Sequence, residues 1–432
     1  MLPAVWVHSR RRLAVVGAAL VAVAGLGIGA YLLIDSRRGG DDQATSAPAA
    51  KLVIHEQQPQ GTEDLGFPAF ATKNTTRVAG SDPVADAAGV ALATFPSTGG
   101  VAGPDAVTLV DGGDWPSGIA AASLMAPPVR APILITDADS TPSLTADALE
   151  ALAPSGSAAT DGHQVFVVGS AAAPSGVRAE RVSGGDPAEL AAAIDRLRQA
   201  LSGHQPEHIL LTSSEEPRYA MPAAAWAARS GDPVLFVGKE SVPQPTLDAL
   251  RRHKQIPVYA LAPPSAISDK VLERVGKIAP SVQRVGAEDP VQNAIDFARY
   301  VSGTFGWNIN DPGHGFVIAR DSRPLDAAAA AALSASGDWG PLLLTDDPAK
   351  VPAALRGYLL DLKPGYIGDP TRAVYNHVWL IGDQDAISVE FQAQVDDLAE
   401  VAQVRSGAGT SLGPPRRSPE PEPTRPSKPR KP

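Results

Sequence analysis

Asp111, Asp114, Asp137 and Asp139 sit just after two short apolar runs, Val107–Val110 and Pro132–Ile135. Asp321, Asp346 and Asp347 follow similar runs farther along, and Glu215, Glu216 and Glu240 take the matching places between them. Carboxylates at the ends of parallel strands gather at one sheet edge, where ligands of open α/β sheets usually sit. A DxD pair there can hold Mg²⁺ through hard oxygen ligands, or hydrogen-bond the hydroxyls of a sugar. The same residues also cap helices and solvate turns without any ligand. No His or Lys recurs beside them, so neither a catalytic nor a metal set is assigned and no cofactor is expected. The candidate ligand-binding set is Asp111, Asp114 and Asp137, with Arg320, Asp321 and Asp346.

Two other motifs are set aside by their context. Gly409-Thr410-Ser411-Leu412-Gly413 has the spacing of a nucleophile elbow, but a proline-rich stretch follows it and no strand–turn–helix surrounds it. Gly25-Leu26-Gly27-Ile28-Gly29 lies inside an uncharged apolar run and is no dinucleotide loop.

The elements that must carry the rim acids recur along the chain. One opening appears three times: Arg77-Val78-Ala79-Gly80-Ser81-Asp82-Pro83, Arg181-Val182-Ser183-Gly184-Gly185-Asp186-Pro187 and Arg284-Val285-Gly286-Ala287-Glu288-Asp289-Pro290. The copies are 104 and 103 residues apart. Between openings the order is strand, Ala-rich helix, Pro-led apolar strand, amphipathic helix and apolar strand. Nearly continuous Val, Ile and Leu strands alternating with helices predict parallel sheets covered on both faces. The expected fold is therefore α/β, with three tandem three-layer α/β/α modules. The Asp-Pro pair predicts an N-cap followed by proline at the first helical position, at Asp82, Asp186 and Asp289. Arg77, Arg181 and Arg284 open each copy, and two roles are open to them: a salt bridge between modules, or a contact to a glycan or phosphate. The first copy lacks a clear helix after Gly169. The third carries an insertion around Lys363–Asn376, and Val401–Gly407 resembles the start of a further copy and is expected to supply a closing strand.

Composition narrows the function. With +4 on residues 1–38 and +5 on residues 401–432, a net charge of −10 leaves −19 on residues 39–400. An acidic body argues against nucleic acid as a partner, and against capture of an anionic polymer unless a local basic patch exists. The absence of cysteine excludes disulfides and thiolate zinc sites.

Leu13–Ile34 is uncharged and, as a helix, would span about 33 Å. Arg10, Arg11 and Arg12 before it favour a cytoplasmic N-terminus and an exported body. A signal peptide cleaved after Ala22-Val23-Ala24 is the alternative, and it exports the body equally. The expected organisation is a cytoplasmic arm and transmembrane signal-anchor over 1–36, a linker over 37–73, modules over 74–180, 181–283 and 284–405, and a proline-rich basic tail over 406–432.

The repeats resemble the cell wall binding repeat 2 modules of Gram-positive surface proteins. The likeness rests on the opening at 77–82, on Pro132-Ile133-Leu134-Ile135 with its counterparts at 233–236 and 341–344, and on the closing strands running from Val258 to Val271 and from Val378 to Ser388. It covers about residues 75–403. It departs where Pro83, Pro187 and Pro290 follow the opening Asp, a place the family usually gives to Arg. The resemblance implies a Toprim-like module, three modules about a pseudo-threefold, and retention on a glycan or teichoic-type cell-wall polymer. The expected function is then a non-catalytic, membrane-tethered protein of the bacterial cell surface that binds that polymer. An exported solute or peptide receptor and a metal-dependent phosphodiester hydrolase are the other readings. Oligomeric state is left open.

Overall fold

The computed structural model describes residues 68–96, 103–335 and 340–404. The proposed membrane segment, most of the linker and the tail lie outside these residues. Among the described residues no helix is long and apolar enough to cross a membrane.

The first stretch runs β1 (Pro68–Ala71), β2 (Thr75–Val78), α1 (Pro83–Thr94), β3 (Val107–Asp111), α2 (Trp115–Ala121), β4 (Ile133–Thr136), α3 (Ser143–Leu152), β5 (Val165–Val168) and β6 (Ala179–Val182). Next come α4 (Pro187–Ser202), β7 (Ile209–Ser213), α5 (Pro217–Ser230), β8 (Val234–Val237), α6 (Gln244–Arg252), β9 (Val258–Leu261), α7 (Asp269–Val275) and β10 (Val282–Val285). The last stretch holds α8 (Pro290–Arg299), β11 (Gly315–Arg320), α9 (Pro324–Ala335), β12 (Leu342–Thr345), α10 (Ala353–Asp361), β13 (Gly365–Tyr366), β14 (His377–Ile381), α11 (Val389–Ala399) and β15 (Ala402–Gln403).

Three large parallel sheets form among the described residues, in the orders β4-β3-β5-β6, β8-β7-β9-β10 and β12-β11-β14-β2, beside a two-stranded one, β13-β15. β1 adds an antiparallel edge to the third. The inner strands β3, β5, β7 and β9 are buried on both faces, and so are the edge strands β4, β8 and β12, as their unbroken apolar runs require.

The strand that opens each repeat does not join the sheet of its own repeat. β6 completes the first sheet, β10 the second, and β2 comes from the start of the described chain to complete the third, with Ile381 beside Val78. The closing strand expected from Val401–Gly407 is therefore not in that slot. β15 pairs with β13, inside the Lys363–Asn376 insertion. The slot is already filled by β2, which carries a better strand sequence with the β-branched pair Thr75 and Thr76.

The Ala-rich helices α2, α5 and α9 pack on one another, and α9 also meets α1. Small side chains let them approach closely: a methyl group on Gly118 of α2 would lie 3.1 Å from the Ala328 Cβ of α9. No helix follows Gly169, in agreement with the sequence.

The helix caps form as expected. Asp82 accepts from Ala85 N, Asp186 from Ala188 N and Glu189 N at 2.9 and 2.8 Å, and Asp289 from Gln292 N. Asp186→Ala is expected to cost about 1 kcal/mol in urea unfolding, a typical loss for an N-cap. The glycine of the opening has a steric cause. A Cβ at Gly80 would lie 2.4 Å from Asp86 N, and one at Gly184 would lie 2.5 Å from Leu190 N, because the strand end abuts the first helical turn.

Candidate functional site

The carboxyl edges of the three sheets are built alike, and each is fastened by the arginine of the opening strand that completes it. Arg181 donates to Gly169 O and Ala171 O at 2.6 and 3.1 Å. Arg284 donates to Ala262 O and Ile267 O at 2.7 and 2.9 Å, and pairs with Asp269 at 2.8 Å. Arg77 donates to Gly382 O, Asp383 O and Ser388 O at 2.8, 2.9 and 3.2 Å, and its Nε donates to Gln392 Oε1 at 2.9 Å. Gly169, Ala262 and Gly382 each directly follow the closing apolar strand. All three arginines thus serve the turn after that strand, and among the described residues Arg284 alone of the three adds an ion pair between modules, to Asp269. Arg77 is buried, and burial pushes its guanidinium down to about 10.

The rim acids fall into two groups. On the first sheet, Asp111 ends β3 and accepts from Gly113 N at 2.8 Å and from Ser170 Oγ at 2.5 Å. Asp114 caps α2, with Ser117 N and Oγ as donors. Asp137 follows β4 and accepts from Ser140 Oγ at 3.0 Å. On the third sheet, Arg320 ends β11, next to Asp321, and Asp346 follows β12 and is exposed. Arg320 reaches Ala386 O at 3.5 Å. Asp321 lies 3.8 Å from Arg218 of α5, which belongs to the second repeat. Burial pushes the Asp321 carboxyl up, and Arg218 and Arg320 oppose that.

Asp111, Asp114 and Asp137 therefore share one sheet edge, and Arg320, Asp321 and Asp346 share the matching edge of another. Among the described residues no hydrogen bond or ion pair joins the two groups, and no three His, Asp or Glu are placed to hold a metal ion. What these edges offer is a row of carboxylates and hydroxyls, Ser170 among them.

One cluster has no signature in the sequence. Asp86 of α1 and Asp326 of α9 are both fully buried, with Arg323 between them at 2.8 Å from each. Asp86 also accepts from Gly80 N at 2.9 Å. Burial pushes both carboxyls up, Asp326 to about 7, and the proximity of Asp326 adds to the rise at Asp86. The corresponding position in the other openings is Leu190 or Asn293, so repeat comparison does not reveal the pair.

Against known proteins, residues 181–272 match the family described as cell wall binding domain 2. The match starts at Arg181, one strand ahead of the second sheet. Two solved structures share the fold. Cwp6 from Clostridium difficile aligns at a TM-score of 0.59 and 18% identity, over 82% of this chain and 51% of that one. Cwp8 from Clostridium difficile aligns at 0.59 and 20% identity, over 76% of this chain and 52% of that one. The chain thus spans about half the length of each. No curated protein matches. The segment 181–272, which spans β6 to α7, is thus the part of the chain that is similar in sequence to the cell wall binding domain 2 family.

Proposed function

We propose that this chain is a non-catalytic cell-envelope protein, held to the membrane by the helix over 13–34 with its body outside, that binds a glycan or teichoic-type cell-wall polymer. In this reading three Toprim-like modules stand about a pseudo-threefold and present the carboxyl edges of their sheets to the polymer. The observation that carries it is the recurrence of one edge: in all three sheets the opening arginine of another repeat fastens the turn after the closing strand. The family match over the second repeat supports the choice of a wall ligand.

The test is sedimentation of the purified full chain with cell-wall sacculi, intact and stripped of teichoic acid. Replacing Asp111, Asp114, Asp137, Arg320, Asp321 and Asp346 together by alanine is expected to reduce the sedimented fraction at least fivefold. The melting temperature should move by no more than a few degrees, because four of the six contact mainly turns and solvent. Undiminished sedimentation of the sextuple variant would remove the edge as the binding surface.

A further inference from the structure

A cavity of about 470 Å³ opens at the other end of the second sheet, near the start of β7 and β8, and residues of all three repeats line it. Pro127 and Pro128 come from the first repeat, Arg198, His208 and Arg229 from the second, and Thr304 from the third. Its size falls within the range of small-molecule sites and fits a unit of one or two sugars. No single repeat could form it.

The fixed acceptors of the lining are already in use. Asp232 accepts from His208 N at 3.0 Å and Trp226 Nε1 at 2.9 Å, and faces His208 Nδ1 at 3.1 Å. Asp195 faces His253 Nε2 at 2.9 Å and accepts from Arg252 at 2.9 Å. The cationic donors are less fully used. Arg198 spends Nε on Ser123 O and Nη2 on Pro127 O, while its buried Nη1 meets no acceptor among the described residues. Burial pushes this guanidinium below its ordinary range, with Asp232 opposing, so an added anion would be favoured beside it. Arg229 is exposed, lies over the Trp226 and Trp307 rings at 5.9 and 5.0 Å, and forms no ion pair among the described residues. Thr304 is exposed, and its hydroxyl sits between His208 Nε2 at 3.0 Å and Glu207 Oε2 at 3.2 Å. A stacked arginine, an under-used arginine and an exposed threonine whose hydroxyl can exchange partners, around a sugar-sized space, suit a ligand with hydroxyls and one anionic group.

We propose that this cavity is a separate binding site for a sugar unit bearing a phosphate or carboxylate, with Arg229 and Arg198 facing the anion and Thr304 a sugar hydroxyl. Asp195, Glu207 and Asp232 also line the cavity, so the anion is held by the two arginines locally and not by a basic surface. It rests on the wall-polymer reading only for the ligand's source.

Calorimetric titration of the full chain with glucose 1-phosphate, glucuronate, glucose and inorganic phosphate at one ionic strength tests the site. The two anionic sugars should bind at least tenfold more tightly than glucose, and at least one more tightly than inorganic phosphate. Which of the two binds better identifies the anion. Arg229→Gln and Thr304→Val should each weaken the better sugar fivefold or more with an unchanged melting temperature. Arg198→Gln is expected to do the same, and since it also frees two carbonyls of the first repeat, the two exposed positions decide. Equal binding of glucose, equal binding of bare phosphate, or indifference to both exposed variants overturns the assignment. Sacculus sedimentation of the same variants separates the two claims. Sedimentation without sugar binding leaves the wall reading standing and removes this site; sugar binding that depends on Arg229, without sedimentation, does the reverse.

Discussion

Arg77→Ala is expected to lower the unfolding free energy by about 3 kcal/mol or more, the largest loss of any single arginine in the chain, measured by urea denaturation. The guanidinium is buried and makes four hydrogen bonds, three of them to backbone carbonyls at the carboxyl edge of the third sheet. Bonds from a charged donor contribute about 1.5–3 kcal/mol each, they are not additive, and acceptors left buried and unpaired add a penalty. Arg181 makes two such bonds from an exposed position, so Arg181→Ala is expected to cost about 1 kcal/mol or less. Arg284, half-buried with two carbonyl bonds and the Asp269 pair, should fall between them. Arg77→Lys should recover only a small part, because an ammonium cannot match the planar fork that reaches acceptors on several sides. Equal losses at the three positions would show that burial of the third edge does not set the ranking.

The melting temperature is expected to fall as pH rises from about 4 to about 7, and Asp326→Asn should flatten that slope and raise the melting temperature at pH 8. The cause is the buried pair between α1 and α9. Burial first, then nearby acids, hold the Asp326 proton up to about 7 in the folded chain, whereas an unfolded aspartate releases it near 3.8. Asp86 is pushed up in the same direction. The groups facing the pair are Arg323, which favours ionisation of both acids, Asp82 and Asp383, which oppose it, and Gly80 N, which donates to Asp86. In the window between the two values the folded chain binds protons that the unfolded chain has lost, so raising pH favours unfolding. Below the window both states are protonated and the penalty vanishes; above it the penalty is complete. At about 1.4 kcal/mol per pH unit across that window, the effect amounts to a few kcal/mol at most. An unaltered slope in Asp326→Asn would mean that other groups control the pH response.

Much of this architecture can be read from the residues, and what cannot has a physical reason. The sheet strands announce themselves because a sheet covered on both faces needs unbroken apolar residues, as in Val165–Val168 of the inner β5 or Leu342–Leu344 of the edge strand β12. The caps at Asp82, Asp186 and Asp289 are local chemistry, so three consecutive residue types suffice. The arginines are harder. Their spacing marks a repeat, but their role depends on β2, β6 and β10 leaving their own repeats to finish the sheet of another, and a periodic pattern carries no information about which sheet a strand joins. The same blindness makes Val401–Gly407 look like the closing strand. The rim acids can be placed at strand ends, but not assigned to separate edges. Asp86 and Asp326 lie 240 positions apart in ordinary Ala-rich helices, and Arg198, Arg229 and Thr304 converge only once three repeats have packed.

β2 has a mechanical consequence. The described chain enters at the β2 edge of the third sheet and leaves past α11, which packs beside it: Lys73 pairs with Glu400 at 3.0 Å, and Asn74 N and Nδ2 donate to Asp396 at 2.8 and 3.1 Å. A pull applied between residues 68 and 404 is therefore borne by the seam around β2 and α11, while the first and second sheets lie outside the direct line of load. Under tension that seam is the clasp, and it would part before the two sheets it encloses begin to feel the strain.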